Sequence, residues 1–169
     1  LVDRTEQFET YSNGLRIESL PAVSTHPRRY AALAAHAGGG APAIHTEPVG
    51  IVFHTTETQM VDFEEPKTAA LKRIGRNLLE YVLAHRSYHF VVDRFGRVHR
   101  VVAESDAANH AGWSVWADGE RVYVKLNESF LAVAFETRSP AAGSESSLNS
   151  AQIHAGRVLV EMLRSRYGI

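Results

Sequence analysis

The stretch VGIVFHTTETQ, residues 49–59, opens with a continuous apolar run rich in β-branched side chains and then stops on His54. A strand that is apolar at every position, and not at every second one, is covered on both faces. A chain built around it therefore needs elements lying over each face of a sheet. After a polar stretch containing Pro66, TAALKRIGRNLLEYVLAHR supplies one such element. Leu71, Ile74, Leu78 and Val82 recur at spacings of three and four, and Leu79 and Leu83 widen the stripe, as in an amphipathic helix. Glu64 and Glu65 near its start and His85 and Arg86 near its end suit the helix dipole.

The segment YHFVVDRFGRVHRVV reads as a hairpin around Asp93-Arg94-Phe95-Gly96, with Gly96 supplying a left-handed position. Strand alternation puts Tyr88 and Phe90 on one face and His89 and Val91 on the other. ESDAANHAGWS is a loop of small and polar residues, and FLAVAF, residues 130–135, is a second short apolar strand. Residues 140–149 form a Ser/Gly/Ala loop. A last helix starts at Asn149 or Ser150, either of which can cap it, carries Ile153, Leu159, Leu163 and Tyr167, and closes at Gly168. The order of elements implies an α/β fold, a mixed central β-sheet flanked by helices. Residues 1–47 read as an N-terminal extension, with one short strand in LRIESLPAV and an Ala/Gly-rich loop at Gly38 to Pro42. Residues 48–169 form the domain proper.

Composition narrows the function classes. A chain of 169 residues suggests one domain. Eighteen basic and nineteen acidic residues leave a net charge of −1, which lacks the basic surplus of a nucleic-acid binder. No apolar run approaches the ~20 residues of a membrane span. The chain has no cysteine, so disulfides and Cys-type zinc sites within it are excluded, and nine histidines remain as metal or acid–base candidates. His54, at the open end of a buried strand, sits where α/β sheets place their chemistry. By itself it reads first as a structural histidine, and its neighbours change that reading.

IVFHTT, SYHFVVDRFGRVHRVV, NHAGWS and LNESFLAVAF follow one another in this order. Together they resemble the zinc-dependent N-acetylmuramoyl-L-alanine amidases, the group that includes T7-type phage amidases and peptidoglycan recognition proteins. The terminal SAQIHAGRVLVEMLRSRYGI is similar to that family's last long helix, so the resemblance covers residues 49–169. It implies a zinc hydrolase that cuts the amide between N-acetylmuramic acid and L-alanine of the stem peptide. His54 would be the first zinc ligand and Tyr88 the catalytic tyrosine, with Asn109, His110 and Trp113 contacting substrate. One branch of the family uses a glutamate where this chain has Ala134, and Glu136, two residues on, is a weak substitute.

Peptidoglycan or muropeptide is the implied partner, and the cell envelope or the exterior is the implied location. The family's other two zinc ligands follow its last helix, so they are expected beyond Ile169, in a C-terminal part that this chain lacks. The alternative is a non-catalytic module that binds or senses peptidoglycan in the same groove. A site built internally from His54, His110 and His89 or His154 has little support, since the chain has no HExxH pattern and no i, i+4 histidine pair within one helix, His85 ending the predicted helix and His89 falling in the next strand.

Overall fold

The computed structural model describes residues 1–36, 41–142 and 148–169. The loop read at Gly38 to Pro42 lies largely outside the described residues, as does the middle of the one at 140–149. The elements run in chain order as β1 (Asp3–Arg4), β2 (Phe8–Thr10), β3 (Arg16–Val23), β4 (Tyr30–Ala34), β5 (Ile44–His45), β6 (Gly50–Thr55), α1 (Thr68–His85), β7 (Phe90–Val92), β8 (Val98–Val102), β9 (Trp116–Ala117), β10 (Arg121–Tyr123), a single turn α2 (Leu126–Ser129), β11 (Phe130–Phe135) and α3 (Ser150–Tyr167). A 3₁₀ turn at Glu65–Lys67 leads into α1.

The main sheet has the order β1-β2-β3-β8-β7-β11-β6, and a smaller one the order β5-β4-β10-β9. β11 is buried at all six positions and runs parallel to both β6 and β7. Its alternate side chains serve two cores. Leu131, Val133 and Phe135 join Phe90 and Val92 against Leu159 and Leu163 of α3. Ala134 joins Val91 against Leu78 and Val82 of α1. The two long amphipathic helices thus lie on opposite faces of a mixed sheet, as the apolar runs predict. The first residues contribute more than one short strand, because β1, β2 and β3 extend the main sheet and β3 pairs in parallel with β8.

Local signals place the ends of these elements. Asn149 caps α3 in a capping box: its side chain accepts from the Gln152 amide at 2.9 Å, and the Gln152 side chain accepts from the Asn149 amide at 3.3 Å. The Asn149 side-chain amide also donates to the carbonyl of Arg94 at 2.8 Å, tying α3 to the β7–β8 hairpin. Gly96 turns that hairpin at φ 79°, and a Cβ there would meet the Ala151 carbonyl at 2.8 Å. Gly156 allows a similar approach, since a Cβ would stand 2.8 Å from the Phe135 ring.

The strand β6, read as covered on both faces, is a border strand with no fully buried residue, and its Phe53 is 55% exposed. Two further sequence readings are corrected here. The strand after α1 begins only at Phe90, and Tyr88 adopts a left-handed backbone at φ 60°. The expected alternation therefore breaks, and Tyr88 packs with Val91 and Ala134 on the α1 face instead of sharing a face with Phe90. Glu136 is the second correction. It is 0% exposed, and its carboxylate accepts from Arg94 Nε at 2.8 Å, Arg94 Nη2 at 2.6 Å and the Arg94 main-chain amide at 3.0 Å. A carboxylate closed off in this way anchors the hairpin and is not available as a catalytic substitute. Replacing Glu136 by Ala should strand the buried Arg94 guanidinium and cost roughly 3–5 kcal/mol, read as a lowered urea midpoint at unchanged m-value.

Candidate active site

The site lies at the C-terminal end of β6, at the border of the sheet. Among the described residues β6 pairs only with β11. His54 is paired across the ladder with Ala134, which puts its ring on the α1 face. Tyr88 reaches the same place from the α1–β7 connection. Arg86 and Tyr88 both have positive φ there, 54° and 60°. Such backbone is unfavourable for non-glycine residues and persists where the surroundings hold it. The result is a ring-centroid separation of 5.1 Å between His54 and Tyr88.

His110 arrives from the β8–β9 loop. Its main-chain amide and that of Ala111 both donate to Asn127 Oδ1, at 3.0 and 2.8 Å. Its Nε2 faces the Leu126 carbonyl at 3.2 Å, so that nitrogen carries the proton and Nδ1 is an acceptor. Nδ1 lies 3.1 Å from His54 Nε2. His54 therefore donates from Nε2, and its Nδ1 is left as the unprotonated nitrogen. Burial holds the His54 pKa below its ordinary value. Burial, and then the neighbouring His54, bring His110 down to about 4. Both rings are neutral at pH 7. Burial, with smaller contributions from Tyr81 and Glu57, raises the Tyr88 pKa, so the phenol keeps its proton.

The other candidates are distributed differently. Trp113 is 101% exposed on the loop that carries His110, so its whole indole face is open to a ligand. The Asn109 side chain turns away and donates to the His85 carbonyl at 3.0 Å, at the C-terminus of α1. His89 is buried behind His110, with ring centroids 6.2 Å apart. Its Nδ1 accepts from the Ala132 amide at 2.9 Å, and its Nε2–H donates to the Asp106 carbonyl at 3.0 Å, so both nitrogens are used within the fold. Burial first, and then the charge of Arg28, hold its pKa at about 3.

Asn127 was not among the sequence candidates, although it clamps the His110 loop. Its only signal is its place in the LNESF stretch. A groove of about 1190 Å3 lies beside His54 on the α3 side of the border strand, lined by Phe53, Phe135, Val160 and Ile169, and Tyr88, His110 and Trp113 do not line it.

The sequence profile described as N-acetylmuramoyl-L-alanine amidase matches residues 45–169. No curated protein matches the chain. Among solved structures, the chain is similar to AmiD of E. coli, in complex with the substrate anhydro-N-acetylmuramic acid-L-Ala-D-gamma-Glu-L-Lys. The identity is 20% and the TM-score 0.51, over 98% of this chain and 54% of that one. It is similar to AmpDh3 of Pseudomonas aeruginosa, in complex with anhydromuramic pentapeptide, at 19% identity and a TM-score of 0.51, over 79% of this chain and 49% of that one. It is also similar to bumblebee PGRP-SA, at 12% identity and a TM-score of 0.51, over 90% of this chain and 77% of that one. The chain thus spans about half the length of AmiD and AmpDh3. At these identities the likeness is one of fold.

The two neutral buried rings set a pH dependence. Below pH ~6.5 the unfolded chain takes up protons that His89 and His110 refuse in the fold, so stability falls as the pH falls. The loss begins near pH 6.5 and continues towards about 4 for His110 and about 3 for His89. Each ring contributes at most about 1.4 kcal/mol per pH unit. Urea denaturation between pH 7 and 4 should show this slope, and His89→Asn should make it shallower.

Proposed function

The chain belongs to the N-acetylmuramoyl-L-alanine amidase family, and from that premise we propose that it hydrolyses the amide between N-acetylmuramic acid and L-alanine of the peptidoglycan stem peptide. The observation that carries the reading is a neutral imidazole, His54, at the mouth of a parallel strand, within ring contact of a protonated phenol, Tyr88. In this reading zinc is the cofactor. His54 is suited to one ligand position: it is neutral, and His110 Nδ1 fixes its tautomer at 3.1 Å, leaving Nδ1 as the donor atom. Catalytic zinc takes three protein ligands. No group of three or more His, Cys, Asp or Glu side chains converges among the described residues. These residues alone do not complete a zinc site.

The chain's own groups have definable tasks. The Tyr88 hydroxyl, kept protonated by burial, donates towards the carbonyl oxygen of the scissile amide as negative charge develops there. Donors of this kind are worth ~3–4 kcal/mol. His110 holds His54 in place and, with Trp113, flanks the substrate, the exposed indole offering a face to glycan or peptide. Asn109, expected to contact substrate, instead anchors the His110 loop on the C-terminus of α1. In this reading the protein acts in the cell envelope or outside the cell. No helix among the described residues is long and apolar enough to cross a membrane.

A second reading keeps the groove and drops the chemistry, giving a peptidoglycan-binding or sensing module. The fully exposed Trp113 indole, on the loop that carries His110, supports it, because an aromatic face can hold a sugar or peptide without a metal. Metal analysis of the full-length product separates the two: about one zinc per chain supports the hydrolase, and none supports the binder. Tyr88→Phe should lower muropeptide turnover at least tenfold with an unchanged thermal midpoint. Wild-type turnover in that variant would remove Tyr88 from the reaction.

A further inference from the structure

We infer that Arg28, upstream of the family-matched residues 45–169, is a positioning residue for the active site, its guanidinium joining the two chain segments that carry His110 and Asn127. The catalytic part of this inference rests on the amidase reading, and the positional part does not.

Arg28 is 1% exposed. Its fork is directed at main-chain carbonyls, and Nη2 also lies 2.9 Å from His89 Nε2. Nε donates to Glu104 at 3.2 Å and Nη2 to Asp106 at 3.3 Å. Nη1 donates to Phe130 at 3.2 Å and also to Glu128. Glu104 and Asp106 stand just before His110 in the chain, and Glu128 and Phe130 just after Asn127. One planar group therefore bonds both segments between which the His110 ring is held. A guanidinium suits the task because its five donors point outward in a rigid fork that an ammonium does not reproduce. Keeping a charge out of water is costly. Removing this one would also leave buried carbonyls unpaired.

The segment that delivers Arg28 is itself seated on the same loop. The Arg28 amide donates to the Ser105 carbonyl at 2.8 Å, and the Ala107 amide to the His26 carbonyl at 3.0 Å. The Thr25 amide and the Ser24 hydroxyl reach the Asp106 carboxylate at 2.9 and 3.1 Å, and the Thr25 hydroxyl donates to the Ala107 carbonyl at 2.5 Å. Residues 24–28 thus form a strip paired to 105–107, with Arg28 turned inward from its end. From Ala107 the chain passes directly to His110, whose amide is clamped by Asn127 and whose ring meets His54. Loosening the strip releases one wall of that clamp.

Amide hydrogen exchange by NMR on the full-length protein tests this. In Arg28→Ala, exchange at His110 and Ala111, whose amides bond to Asn127, should accelerate at least tenfold, with Val91 and Val133 within twofold of wild type. Millimolar methylguanidinium should restore the slow rates. Arg28→Lys should show the same pattern at threefold or more, and it carries the test if Arg28→Ala does not fold. Unchanged exchange at His110 and Ala111, or equal acceleration at Val91 and Val133, overturns the inference, since the latter marks a residue that merely supports the scaffold. In a protein that hydrolyses muropeptide, kcat should fall more than KM rises, and an unchanged kcat overturns the catalytic part. A wild-type protein that hydrolyses nothing removes the amidase reading and leaves the exchange result to stand by itself.

Discussion

The fold depends on β11 being covered on both sides. A strand with all six positions buried leaves no polar face, and its two parallel neighbours cannot be reached by tight turns. The connection from β6 to β7 is therefore long, and α1 fills it on one face. α3, which follows β11, closes the other. The same arrangement brings the end of β6, with His54, to the border of the sheet, next to the connection that leaves α1.

That connection decides the chemistry. Two successive departures into left-handed backbone, at Arg86 and Tyr88, bring a phenol across to the α1 face, where the His54 ring already sits. On the far side, a side-chain amide holds the loop that presents His110. Burial then sets the protonation states: two imidazoles stay neutral and one phenol stays protonated. Hydrogen-bond direction passes from the Leu126 carbonyl through His110 to His54, so a main-chain oxygen ultimately selects which nitrogen of His54 is unprotonated.

Two buried arginines follow a consistent pattern. Arg94 with Glu136, and Arg28 with its four carbonyls, are each fully enclosed and each join segments far apart in the chain. The directional donors of each guanidinium fix where its acceptors must stand, so the pair specifies one arrangement of the loops around the sheet, with Arg94 Nη1 alone left without a partner. The first describes how the hairpin is tied to β11. The second describes how residues outside the family-matched region come to support the His110 loop.

Local patterns marked β6, α1, the hairpin, β11 and α3: continuous apolar runs, helical spacing and a glycine turn are all written in neighbouring residues, although the run of β6 turned out to lie at a half-covered border. Asn149 and Gly168 were legible as caps for the same reason. The ordered motifs carried the family and singled out His54, Tyr88 and His110. The short strands β1, β2, β4, β5, β9 and β10 escaped, being only two to five residues long and mostly half-exposed. Only the tertiary structure decided that Tyr88 leaves the alternation, that Glu136 is locked by Arg94, that Asn127 clamps His110, and that Arg28 reaches the site from upstream. Each of these is a pairing between residues distant in sequence, set by strand register and by which polar groups the packed core leaves without water, and neither quantity exists until the chain has folded.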